Sequence, residues 1–193
     1  MIYSYILDTE TSGLRSDYHE ITQISIIRCS DRKQLNKYIK AEFPNRASPQ
    51  ALEYTGRTIE DLKKGDSKKE VVEFVNEFFK QDGGEPEERC IIGHNIINFD
   101  KKFLHALWSD LGMIFPACLW LDTIPYIKDF AKQRGLNAKK YNLTASLELV
   151  GIKPRQGAHN AVVDTQNNFF LWDKLKKEGI APIHHIKRFA HEL

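Results

Sequence analysis

Three cysteines in 193 residues, Cys29, Cys90 and Cys118, are too few and too oddly numbered for a disulfide framework. Each stands alone in an apolar run, without the paired spacing of a zinc knuckle. They are expected to be reduced thiols filling the core. No apolar stretch approaches the roughly 18 residues a membrane helix needs, and no basic-then-apolar leader precedes the first strand-like run. A soluble, cytoplasmic protein is the expectation. Charge of one sign is also missing: 28 basic against 26 acidic residues leave +2, which excludes a histone-like polycation while allowing charge to segregate on the surface. What the chain does have is 41% hydrophobic and 11% aromatic content, enough to bury one good core, so residues 1–193 are expected to form a single domain.

The opening stretch, Ile2-Tyr-Ser-Tyr-Ile-Leu-Asp-Thr-Glu-Thr-Ser-Gly13, is a β-forming run that ends in two carboxylates and a turn. Side chains two apart on a strand share a side, so Asp8 and Glu10 project together beyond the end of the strand. Two like charges that close stay ionised only with a cation between them, and a hard divalent cation suits oxygen ligands. A lone Asp-x-Glu is common by chance, so the rest of the chain has to carry the argument.

Further runs at Glu20–Cys29 and Gln34–Phe43, with Ser30–Lys33 as the turn, predict an antiparallel meander. A short helix over Gln50–Gly56 and a capped start at Thr58 follow. Residues 68–80 carry Val71, Val72, Phe74, Val75, Phe78 and Phe79 at helical spacing. The breaker-rich 81–89 predicts an exposed loop. A buried strand at Cys90–Asn95, a helix over Asp100–Gly112, a strand at Ala117–Leu121 and helices over Pro125–Arg134, Leu143–Val150 and Asn160–Glu178 complete the pattern. This is α/β with a mixed sheet, its first three strands antiparallel and the later ones packed between helices.

The chemistry-bearing residues fall at element ends. Asp8 and Glu10 follow the first strand, His94, Asn95 and Asp100 follow the next buried one, and His159 and Asp164 open the last long helix. Five residues of helix span about 7.5 Å, so His159 and Asp164 can border one pocket. Four carboxylates there carry roughly four negative charges, which two divalent cations about 3.5 to 4 Å apart would balance. Oxygen-rich ligation without cysteine argues for Mg²⁺ or Mn²⁺ over zinc.

Asp8-Thr-Glu-Thr-Ser-Gly-Leu14, Gly93-His-Asn-Ile-Ile-Asn-Phe-Asp100 and Ala158-His-Asn-Ala-Val-Val-Asp164 resemble, in order and spacing, the three motifs of the DEDDh family of 3′→5′ exonucleases. That family includes polymerase III proofreading subunits and RNase T. The resemblance covers nearly the whole chain and implies an RNase H-like fold and two-metal hydrolysis of a terminal phosphodiester. By position, Asp8, Glu10, Asp100 and Asp164 would be the metal carboxylates and His159 the general base. One cation would be held by Asp8, Glu10 and Asp164, a second through Asp8 and Asp100. The terminal nucleotide would meet backbone N–H groups from Thr9 through Thr11 to Gly13, with His94 and Asn95 nearby and Leu14 and Phe103 as apolar surfaces. Implied partners are single-stranded DNA or RNA 3′ ends and a DNA polymerase. Arg57 departs from the aliphatic residue usual after the Tyr-Thr-Gly56 segment.

Each of these residues also has a plain structural reading. Asp100 fits a helix N-terminus favourable to the dipole, His159 a cap, and Leu14 and Phe103 the core. The basic His184–Leu193 fits a solvated end. Two rival functions stay open: a non-catalytic polymerase-associated nucleic-acid-binding module, and a hydrolase of dinucleotides or other small phosphodiesters.

Overall fold

A computed structural model describes residues 1–157, 159–180 and 187–188. Six strands, β1 (Tyr3–Thr11), β2 (Ile21–Arg28), β3 (Gln34–Tyr38), β4 (Arg89–Gly93), β5 (Leu119–Asp122) and β6 (Lys187–Arg188), form one sheet in the order β3-β2-β1-β4-β5-β6. β1 pairs antiparallel with β2, and β2 with β3, while β4 and β5 run parallel to β1. The first three strands are therefore antiparallel, as expected. The helices are α1 (Pro49–Thr55), α2 (Ile59–Leu62), α3 (Lys68–Lys80), α4 (Asp100–Asp110), α5 (Thr123–Gln133), α6 (Leu143–Leu149) and α7 (Ala161–Lys177).

Alternation along β1 sends its residues into two cores. Tyr5 and Leu7 join Val75, Phe79, Trp108 and Trp120 under α3 and α4, whereas Ile6 joins Ile92, Tyr126, Leu171 and Trp172 under α5, α6 and α7. Helices on both faces explain why every residue of β2 and of β4 is buried. Helix starts follow the local chemistry. Ser67 and Glu70 cap α3 reciprocally, Thr58 and Asp61 do the same for α2, and Ser48 precedes Pro49 at the start of α1. All three cysteines are free, and burial pushes Cys29 up to about 11 and Cys90 up to about 12.

The structure departs from the sequence expectations in several places. β1 runs on through Thr11, so Asp8 and Glu10 lie within the strand and not past its end. β3 stops at Tyr38 instead of Phe43, because Lys40 and Ala41 donate to the carbonyls of Asp66 and Leu62 outside the sheet. Phe74, counted with the core stripe of α3, is 45% exposed at its flank, beneath the Lys37 ammonium 3.6 Å from its ring centroid. The 81–89 segment is anchored at both ends. Arg89 is the first residue of β4, and its guanidinium grips Asp82 with two bonds of 2.8 Å, the two side chains being 5% and 1% exposed. The Tyr5 hydroxyl also donates to Asp82, and burial together with that carboxylate pushes the phenol above its ordinary value. Of the basic end, only Lys187 and Arg188 are described, as β6 on β5; His184, His185 and 189–193 lie outside the described residues.

A buried pair broken on one side leaves an uncompensated charge. Arg89→Met is expected to lower unfolding stability by about 3 to 5 kcal/mol in a urea titration. A loss under about 1 kcal/mol, the worth of a surface pair, would show that water reaches Asp82 once the guanidinium is gone.

Candidate active site

β4 pairs with β1 only as far as Ile6, so beyond that point one edge of β1 has no strand beside it among the described residues. The site is built on this open edge. Asp8 and Glu10 point to the α7 face, and Asp164, in the first turn of α7, comes down to meet them. Oxygens of Asp8, Glu10 and Asp164 lie within 4.8 Å of one another. Asp100, the first residue of α4, reaches the edge from the other side. Its Oδ1 accepts from the Thr9 amide at 3.0 Å and the Thr9 hydroxyl at 2.7 Å, using an N–H that a longer β4 would have taken.

At such separations two unit charges repel by about 3 to 4 kcal/mol even at an effective dielectric of about 20. Burial, then Asp100, Glu10 and Asp164, hold the Asp8 carboxyl well above its ordinary range. Burial, then Asp164 and Asp100, push Glu10 up to about 8, with the Arg57 guanidinium pulling the other way. Burial raises Asp100 to about 6 against the two Thr9 hydrogen bonds, and raises Asp164 against the His159 amide. Four carboxylates each displaced upward form a donor set short of positive charge. All-oxygen ligation of that kind fits hard divalent cations, with Asp8, Glu10 and Asp164 as one ligand group and Asp100 beside it.

His159 sits in the left-handed region, φ 66°, just before the Asn160 cap of α7. Its amide donates to Asp164 Oδ2 at 2.8 Å, and its ring stands edge-on to Tyr54 at 4.6 Å in the exposed mouth of the site. Leu14 is 83% exposed at the rim. Gly13 lies against the His19 ring, where a Cβ would come within 2.3 Å of the imidazole, so no larger residue fits without moving that ring. The Thr11 hydroxyl is spent on the Gly13 carbonyl.

The remaining expected residues are placed less freely. His94 is locked inside: Nε2 lies 2.6 Å from the Tyr141 carbonyl, which can only accept, so that nitrogen carries the proton and Nδ1 accepts from the Thr123 hydroxyl at 2.8 Å. Burial lowers the His94 value further, keeping it neutral. Phe103 is 3% exposed and belongs to the core, tilted against Phe99. Asn95, exposed and at φ 63°, closes the end of β4 by donating its amide to Asp122.

Three supporting residues carried no role in the sequence reading. Tyr54 backs His159. Asp122 accepts from both Asn95 and Ile124. Gln23, buried on β2, contacts Asn160 Oδ1 and receives the Ala161 amide, tying the start of α7 to the sheet. Arg57 donates to the carbonyls of Thr22 and Asp61 and lies over Tyr38, which places its charge near Glu10 without an ion pair.

Sheet order and carboxylate placement together define an RNase H-like α/β protein with an acidic edge. The family model described as "Exonuclease", RNase_T, matches residues 5–170, and the chain belongs to that exonuclease family. A DNA polymerase III PolC-type protein of Thermotoga petrophila is 29% identical over 188 residues, covering 94% of this chain and 13% of that protein. The chain thus spans a small part of the curated relatives it matches. E. coli Exonuclease I, solved with a dT13 oligonucleotide, superposes with a TM-score of 0.75 at 19% identity over 92% of this chain and 41% of its own. A 3′-exonuclease solved in recognition of a histone mRNA stem-loop gives 0.74 at 16% identity over 99% and 71%.

The raised carboxylates set the sign of a pH effect in metal-free protein. The folded state holds the Glu10 proton more tightly than the unfolded chain, so this stability is fully present below about 4.5 and is lost as pH rises through about 8. The metal-free melting temperature is expected to fall across that window. Millimolar Mg²⁺ or Mn²⁺ should restore it, and Asp8→Asn should flatten the fall. A metal-free melting temperature that does not move with pH, or does not respond to cation, would contradict the crowding.

Proposed function

We propose that this chain removes 5′-mononucleotides one at a time from the 3′ end of single-stranded DNA, assisted by two divalent cations, Mg²⁺ or Mn²⁺. The observation that carries the reading is the meeting of Asp8, Glu10 and Asp164 within 4.8 Å, with Asp100 bonded to the intervening Thr9. Family membership supports the reaction class. The polymerase and Exonuclease I relatives favour DNA and a setting beside a polymerase.

Asp8, Glu10 and Asp164 would hold one cation, and Asp8 with Asp100 the second. Bound there, the pair supplies a water of lowered pKa and charge to offset the phosphate and the departing 3′ oxygen. The chain's own residues do the rest. His159, in the mouth of the site and backed by the Tyr54 ring, takes the proton of the attacking water while its amide keeps Asp164 in place. The Thr9 hydroxyl and amide orient Asp100. Leu14 covers the terminal base from the rim.

Oligomers labelled separately at each end are expected to shorten from the 3′ end and to release nucleoside 5′-monophosphates, only with Mg²⁺ or Mn²⁺ present. Asp8→Ala should abolish cleavage in a folded protein. His159→Ala should cut turnover by about 10² to 10⁴ with oligomer binding near normal. Internal cuts, release from the 5′ end, or cleavage by Asp8→Ala would each discard the mechanism, and binding lost in step with turnover would reassign His159 to a structural role.

A further inference from the structure

Beside the carboxylate edge, an aromatic and guanidinium ladder lies open on the surface. The Arg46 guanidinium rests 3.9 Å from the Phe43 ring centroid and 5.0 Å from that of Tyr18, and Arg15 lies 5.6 Å from the other end at Tyr18. Tyr18 is 44% and Phe43 47% exposed. Arg15 is paired with Asp17, but no carboxylate among the described residues lies within ion-pair distance of Arg46.

The ladder is firmly mounted. The buried Glu20 carboxylate accepts the amides of Glu42 and Phe43 at 3.1 and 2.9 Å, and Lys68 binds the same carboxylate at 3.0 Å. The turn Pro44–Arg46 is closed by the Arg46 amide on the Phe43 carbonyl. The Ser48 amide donates at 2.8 Å to the carbonyl of Ser12, two residues past Glu10, joining this turn to the segment that carries Leu14. Ring faces, an uncompensated cation and a rigid base next to a cluster that acts on a strand end are complementary to a polyanion with exposed bases.

We propose that the Phe43–Arg46–Tyr18 ladder is the track for the upstream part of a single DNA strand, its rings stacking bases and Arg46 taking a phosphate. This rests on the exonuclease reading and narrows it: the substrate is a strand several nucleotides long, and a dinucleotide is too short to use the ladder.

The test compares a dinucleotide with an oligodeoxynucleotide of about ten residues, for wild type, Tyr18→Ala/Phe43→Ala, and the ring-keeping Tyr18→Phe/Phe43→Tyr. The double alanine variant is expected to raise KM for the oligomer by about 5- to 150-fold per lost stack, with kcat and dinucleotide turnover unchanged, and the ring-keeping pair to restore it. Oligomer affinity measured by fluorescence anisotropy in an Asp8→Asn background should follow the same pattern. There, Arg46→Gln should lower the slope of log affinity against log salt by about 0.7, one single-strand phosphate contact. Equal losses on dinucleotide and oligomer, an unchanged salt slope, or wild type indifferent to length would overturn the track. An oligomer held through the ladder but cut by no form of the protein would refute the exonuclease reading and leave the track standing.

Discussion

The structure turns on a mismatch of strand lengths. β1 extends five residues beyond its last pairing with β4, so one edge from Leu7 to Thr11 must be satisfied by something other than a strand. Asp100 takes the Thr9 amide there, and the same gap gives Asp8 and Glu10 room to face Asp164. A β4 two residues longer would satisfy the backbone better and close the site. The open edge exchanges sheet pairing for an unpaired margin bordered by acids, the kind of local conflict expected where a fold carries chemistry.

The displaced carboxylates follow from that geometry. Burial pushes each upward first, neighbouring carboxylates add to it at Asp8 and Glu10, and the opposing influences of Arg57 on Glu10 and of the His159 amide on Asp164 are partial. Arg57 acts from the β2 side, and the His159 amide acts on Asp164 alone. The protein therefore concentrates negative charge that a bound proton or an added cation would offset, and holds it on rigid elements: β1 inside the sheet, α4 and α7 at their first turns.

Much of this was legible in the chain. Period-two spacing put Asp8 and Glu10 on one side, helical spacing gave α3 its bounds and the Thr58 cap the start of α2, and the three acidic segments foretold which strand and helix ends would meet. What escaped depended on partners distant in sequence. The end of β3 is decided by Asp66 and Leu62, and the burial of Asp82 by Arg89 and Tyr5. His94 looked like a substrate contact because it follows a strand beside Asn95, yet Thr123 and Tyr141 claim both its nitrogens. Phe103 has the periodicity of either a core or a rim residue, and its burial in the cluster with Leu7 and Ile21 of the sheet decides.

At position 159 the backbone and the side chain have separate tasks. The amide steadies Asp164, and the imidazole alone faces Tyr54 and the open mouth. Because a main-chain bond survives any exchange of side chain that tolerates the left-handed conformation, a lineage can replace this histidine and still keep Asp164 in position. On the proposed mechanism, decay at this residue would leave an intact vessel with a slower reaction inside it, so along such a lineage catalytic rate would drift while the architecture of the site is inherited unchanged.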